Sequence, residues 1–96
     1  MSIFAVEYVY TPDTAPQRDE HRPSHRSWLA GKVESGELLA SGPFEDGSGA
    51  LLLFKAAGED ELNALLKQDP FAEAGAIAGL KISGWTPGTG VLAQYL

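Results

Sequence analysis

The chain opens on an alternation of apolar and polar positions. Residues 3–10, IFAVEYVY, place Phe4, Val6, Tyr8 and Tyr10 on one face of an extended segment and Glu7 on the other. This is the period-two pattern of a strand with one buried face. Thr11-Pro12-Asp13 breaks it. From 14 to 36 the period becomes helical: Trp28, Leu29 and Val33 recur at helical spacing, and Gly36 is a good C-terminal stop. Pro23 either opens this helix as a first-turn residue or kinks a longer one that begins near Pro16. The pattern favours a long helix with an irregular first part. ELLASGP (37–43) reads as a second strand, FEDGSG (44–49) as a hairpin connection, and the continuous apolar run ALLLFK (50–55) as a central strand covered on both faces or buried in a dimer. Gly58 precedes Glu59, Asp60 and Glu61, three acids that complement a helix N-terminus. Leu62, Leu65 and Leu66 make the buried stripe of that helix, which should end before Pro70. PFAEAGAIAG (70–79) suits a short turn of helix, LKISGW (80–85) a last strand, and 86–96 a tail with two turn signals and an apolar end.

The resulting order, βαββαβ, predicts an α+β fold of ferredoxin-like design: a four-stranded antiparallel sheet with two helices on one face. The 96 residues suffice for one domain with one modest core. The other face of the sheet would stay open, and a second copy is the expected cover, with the apolar tail packing on that partner.

Charge narrows the function. At a net charge of −6 the chain repels phosphate backbones, so a nucleic-acid partner is not expected. The basic residues nevertheless cluster: Arg18, Arg22 and Arg26 lie in one segment with His21 and His25. As a group the arginines read as a solvated helix face, but a local positive pocket for an acidic small molecule is compatible with them. Cysteine is absent, which excludes disulfides, thiolate chemistry and Cys-based metal centres. No run is long enough to cross a membrane and no N-terminal stretch resembles a signal peptide, so the expected location is the cytoplasm. There is no Gly-rich phosphate loop, Walker lysine or nucleophile elbow; Gly42-Pro43 and Gly47-Ser48-Gly49 are turn chemistry, and no cofactor is implied.

The two histidines and one aspartate carry the remaining chemistry. His25 precedes Trp28 and Leu29 by three and four positions, which puts it on the face turned to the sheet. There it is either a satisfied structural histidine or a general acid/base. His21 lies one turn earlier; a His-x-x-x-His pair can hold a metal but needs a third ligand, and Arg22 and Arg26 disfavour a cation, so no metal site is expected. Asp69, before Pro70, is a common helix-ending step. It would also be placed to orient His25 if the end of the second helix meets the first.

The segments HRPSHRSWLAGKVESGELLASGP (21–43), DPFAEAG (69–75) and KISGW (81–85) resemble the YCII-related family. They hold, in order, an arginine with a histidine three residues on, a G-x-L-x-x-[SA]-G-P stretch, a D-P-[FY] step and an aromatic near the last strand. The resemblance spans roughly residues 3–86. It implies a dimeric ferredoxin-like α/β barrel, related in fold to muconolactone isomerases and small cofactor-free monooxygenases, with a histidine–aspartate pair in a cleft. Carried onto this chain the pair is His25 and Asp69, with Arg22, Ser41, Gly42 and Phe71 lining the cleft as binding residues. Three readings follow. One is a cofactor-independent enzyme performing elimination, dehalogenation or isomerisation on a small anionic or cyclic substrate. The others are a non-catalytic metabolite-binding module and a cofactor-free oxygenase. The FEDGSG loop and the tail, which depart from relatives, are expected to border the cleft.

Overall fold

The computed structural model describes residues 1–95. The elements follow the order read from the pattern: β1 (Ser2–Val9), a 3-10 turn (Pro12–Thr14), α1 (Ala15–Ser35), β2 (Leu38–Pro43), β3 (Gly49–Ala56), α2 (Glu59–Leu66), α3 (Pro70–Glu73), β4 (Gly79–Trp85) and a final 3-10 turn (Val91–Tyr95). The sheet order is β2-β3-β1-β4 and every neighbouring pair is antiparallel. Each helical connection therefore crosses over one strand, which is the ferredoxin-like arrangement.

The core lies between the sheet and the helices. β1 contributes Val6 and Tyr8, β2 Leu38, β3 Ala50, Leu52, Phe54 and Ala56, and α2 Leu62, Leu65 and Leu66. β3 is an interior strand, as its continuous apolar run requires. On the opposite face of the sheet, Val9, Leu51 and Trp85 remain exposed. The tail folds back on its own chain: Tyr95 shares a groove with Met1, Ile3 and Trp85, and the Lys55 ammonium sits 5.7 Å from the Tyr95 ring. Leu96 is outside the described residues.

α1 runs unbroken through Pro23. Pro23 is on the solvent side, so the Asp19 carbonyl that loses its helical donor can bond water instead. Gly36 closes the helix at φ 85°, the left-handed conformation glycine adopts without strain. Val33, expected on the buried stripe, is exposed. A helix of 21 residues outreaches the eight-residue strands beneath it, so its last turn overhangs the sheet.

The inward line of α1 is polar in its first half and apolar in its second. Arg18 and His25 are its buried residues, and Trp28 and Leu29 pack on the core further along. Arg18 corrects the expectation of a solvated arginine face. Its guanidinium donates to Thr14 Oγ1 at 2.6 Å, to the Ala76 carbonyl at 3.2 Å and to the Thr11 carbonyl at 3.1 Å, and it lies 4.4 Å from the centre of the Tyr10 ring. It ties the start of α1 to the segment leading into β4.

Gly49 faces Val9 in the β1–β3 ladder, and a Cβ there would fall inside contact distance of the Tyr8 carbonyl oxygen. Gly49→Ala should therefore lose about 2–3 kcal/mol of stability, read as a lower urea midpoint. Gly84→Ala in β4, where nothing lies within 4 Å of the added carbon, should leave the midpoint nearly unchanged; equal effects of the two would refute the steric account.

Candidate functional site

The chain turns sharply between α2 and α3, and Asp69 stands at that turn. Its extended backbone (φ −63°, ψ 125°) and the following Pro70 start α3, and its carboxylate caps that helix by accepting the Phe71 backbone N–H at 2.9 Å. This is the local helix-terminating role expected of an Asp-Pro step. The same carboxylate also serves two long-range donors. Oδ1 lies 2.7 Å from His25 Nδ1 of α1, and Oδ2 accepts the Tyr8 hydroxyl of β1 at 2.8 Å. Asp69 is 0% exposed. The Tyr8 hydroxyl and the Phe71 amide both donate to this carboxylate, and the Nδ1–H tautomer of His25 would add a third donor and leave Nε2 as the acceptor of the ring.

His25 is fixed from a second direction. Its ring stacks on Phe71, 3.8 Å between centroids and 5° between planes. The Asp69–Phe71 step thus holds the imidazole by an edge and by a face. Nε2 makes no hydrogen bond to another described residue.

In front of this ring lies a cleft of ≈ 270 Å³. His25, Arg22, Ser41, Gly42 and Phe71 all line it, and Asp69 sits behind His25, sealed from solvent. Ser41 and Gly42 reach the cleft from β2, which pairs with Leu52 and Leu51 of β3 at those positions. Arg22 is half-exposed and already bonded to Asp19 at 2.6 Å. The FEDGSG loop and the tail do not border the cleft among the described residues: its lining ends at Pro43 and Ala50, and the tail lies in a different groove.

Sequence reasoning missed four contributors. Tyr8 and Tyr10 were legible as an inward strand face, but their hydroxyls had no assigned task. Arg26, four residues beyond Arg22, lines the same cleft and has no ion-pair partner among the described residues. Arg18 was hidden by its charge. The signal available was spacing: Thr14, Arg18, His25 and Leu29 fall four, seven and four apart, one helix face. Among the described residues no acid lines the cleft, although the chain is strongly acidic.

Burial raises the Tyr8 phenol far above its ordinary 10.0, and the Asp69 charge and hydrogen bond add to the rise. Burial and then Asp69 push Tyr10 up to about 12, against the lowering effect of Arg18 and Arg22. In the unfolded chain both phenols ionise near pH 10. The native state therefore holds more protons above that pH, so this stability is complete below pH 10 and declines as pH rises. Tyr8→Phe should make the alkaline fall in unfolding free energy shallower by about 1.4 kcal/mol per pH unit, and unchanged slopes would contradict the assignment. At neutral pH the same variant should cost roughly 1–3 kcal/mol, because it strips a donor from a buried carboxylate.

The profile of the YCII-related domain family matches residues 2–86. No curated protein sequence matches significantly. Among solved structures, the 5-chloro-2-hydroxyhydroquinone dehydrochlorinase of Burkholderia phenoliruptrix AC1100, in complex with 2,5-dihydroxybenzoquinone, superposes with a TM-score of 0.74 at 22% identity, covering 86% of this chain and 92% of that one. A Deinococcus radiodurans protein named as a candidate antibiotic biosynthesis monooxygenase gives 0.55 at 13% identity, covering 95% and 96%. At these identities the likeness is one of fold.

Proposed function

The chain belongs to the YCII-related family, and from that premise and the geometry of its cleft we propose a small enzyme that moves protons through His25, with Asp69 as the group that orients it. The observation that carries this reading is the buried contact of 2.7 Å between Asp69 Oδ1 and His25 Nδ1. It sets one tautomer and leaves Nε2 as the basic nitrogen turned to the cleft.

The reaction class follows from what such a group can do. Nε2 takes a proton from a ring hydroxyl of the bound substrate and returns it to the halide-bearing ring carbon, which gives the keto tautomer with a tetrahedral C–halogen centre. Removal of a second hydroxyl proton then sends its electron pair through the conjugated system, and the halide departs with its own pair. The net change is loss of one proton and one anion, with no change in the electron count of the protein. Isomerisation is the same first step followed by return of the proton elsewhere. The imidazolium formed is stabilised by the Asp69 carboxylate, whose remaining lone pairs stay bonded to Tyr8 and the Phe71 amide. None of these steps needs a redox group.

The substrate class follows from the walls. Phe71, Tyr8, Tyr10 and the imidazole present aromatic surface, while Arg22 and Arg26 supply positive charge. A small planar ring bearing phenolate or carboxylate oxygens suits both. The ring bound in the Burkholderia neighbour, a dihydroxybenzoquinone, is of this chemical type, which supports the reading by analogy of fold only. Ser41 and Gly42 form the opposite wall and would set the orientation of the ring.

The test is turnover of chlorinated hydroquinones and hydroxyhydroquinones, followed by chloride release and the absorbance of the quinone product. His25→Asn should lower kcat by roughly 10²–10⁴-fold with an unchanged circular dichroism spectrum. Asp69→Asn should lower it as well, by misorienting the ring. A folded His25→Asn enzyme with full turnover would sink the acid–base reading. A ligand held tightly and recovered unchanged by the wild type would point to a binding module instead.

A further inference from the structure

Tyr10 follows the last residue of β1 and lines the cleft beside Tyr8, but its surroundings are unlike those of Tyr8. The Tyr8 hydroxyl is spent on Asp69. The Tyr10 hydroxyl enters no hydrogen bond with another described residue, although its ring is held on several sides: Phe71 meets it edge-on at 6.2 Å, Tyr8 lies 6.4 Å away, and the Arg18 guanidinium covers it at 4.4 Å. The ring is held in place and Tyr10 lines the cleft.

Arg18 needs an explanation of its own. It is a buried cation that makes hydrogen bonds to two carbonyls and one hydroxyl but forms no ion pair with a carboxylate among the described residues. Buried charges are ordinarily paired. Here the positive charge rests against the π-face of the tyrosine, where it draws electron density from the ring and strengthens the O–H as a donor. The phenol stays protonated at neutral pH, because burial and Asp69 oppose its ionisation.

We propose that Tyr10 is a second functional residue of the cleft, donating a hydrogen bond from its hydroxyl to the anionic oxygen of a phenolate or enolate ligand. This rests on the proton-transfer reading for its chemical purpose: an oxygen that gains charge as His25 removes a proton needs a donor that does not itself lose one. Arg26, which has no ion-pair partner among the described residues, adds long-range attraction for the same charge; Arg22 lines the cleft as well but is paired with Asp19.

The binding claim can be tested apart from turnover. The probes are 4-nitrophenolate and nitrobenzene, two flat rings that differ in the anionic oxygen, titrated into wild type, Tyr10→Phe and His25→Asn at a pH where the phenol is ionised. Wild type should prefer the phenolate, and Tyr10→Phe should weaken phenolate binding roughly 10- to 100-fold while leaving nitrobenzene binding unchanged. Phenylalanine keeps the ring between Arg18 and Phe71, and an unchanged melting temperature would verify that packing. Loss of affinity for both probes alike, no loss for either, or a wild type without phenolate preference would each overturn the assignment. His25→Asn should retain the preference. Failure of the proton-transfer reading would instead appear as full turnover by His25→Asn, whatever Tyr10→Phe does to phenolate binding.

Discussion

A single buried carboxylate organises the centre of this molecule. Asp69 is fully enclosed and receives a donor from each of three elements: the Tyr8 hydroxyl from β1, the His25 ring from α1 and the Phe71 amide from α3. An unpaired carboxylate in that position would be prohibitively unfavourable, since desolvating an ion without compensation far exceeds the net stability of a small domain. The three elements must therefore converge on it, and their convergence sets the depth and direction of the cleft in front of His25.

The arrangement joins stability to chemistry. Asp69 is at once the cap that starts α3 and the hydrogen-bond partner of His25; Phe71 is at once a core side chain and the plate under the imidazole. On the proton-transfer reading proposed above, an imidazole held by Asp69 and Phe71 would lose little entropy on meeting a substrate, which is how preorganised sites gain rate. The same economy explains the polar inward half of α1. Arg18 and His25 occupy positions that an ordinary amphipathic helix would give to leucine, and the remainder of the core, on β3 and α2, supplies the apolar burial they forgo.

Charge is distributed unevenly. The chain as a whole is acidic at a net −6, yet among the described residues the lining of the cleft holds two arginines and a histidine and no acid. Arg22 is paired with Asp19, whereas Arg26 has no ion-pair partner among the described residues, so the positive charge of the cleft rests mainly on Arg26. On the sheet face away from the helices, Val9, Leu51 and Trp85 remain exposed.

Much of the fold was legible in the chain because its signals are local. Alternation in IFAVEYVY, the apolar run of ALLLFK, the leucine spacing after the acids at 59–61 and the stop at Gly36 each reflect a backbone period or a conformational preference that needs no distant partner. Five of the residues expected at the cleft, and the aspartate behind it, were reached by matching an ordered set of motifs. What no local signal could decide was pairing across the chain. His25 and Asp69 are 44 positions apart and Tyr8 and Asp69 are 61 apart, so their contacts exist only once both crossovers have closed over the sheet. Arg18 and Val33 were misjudged for the same reason: spacing says which residues share a helix face, but only the packed structure says where that face ends and which of its charges find carbonyls waiting.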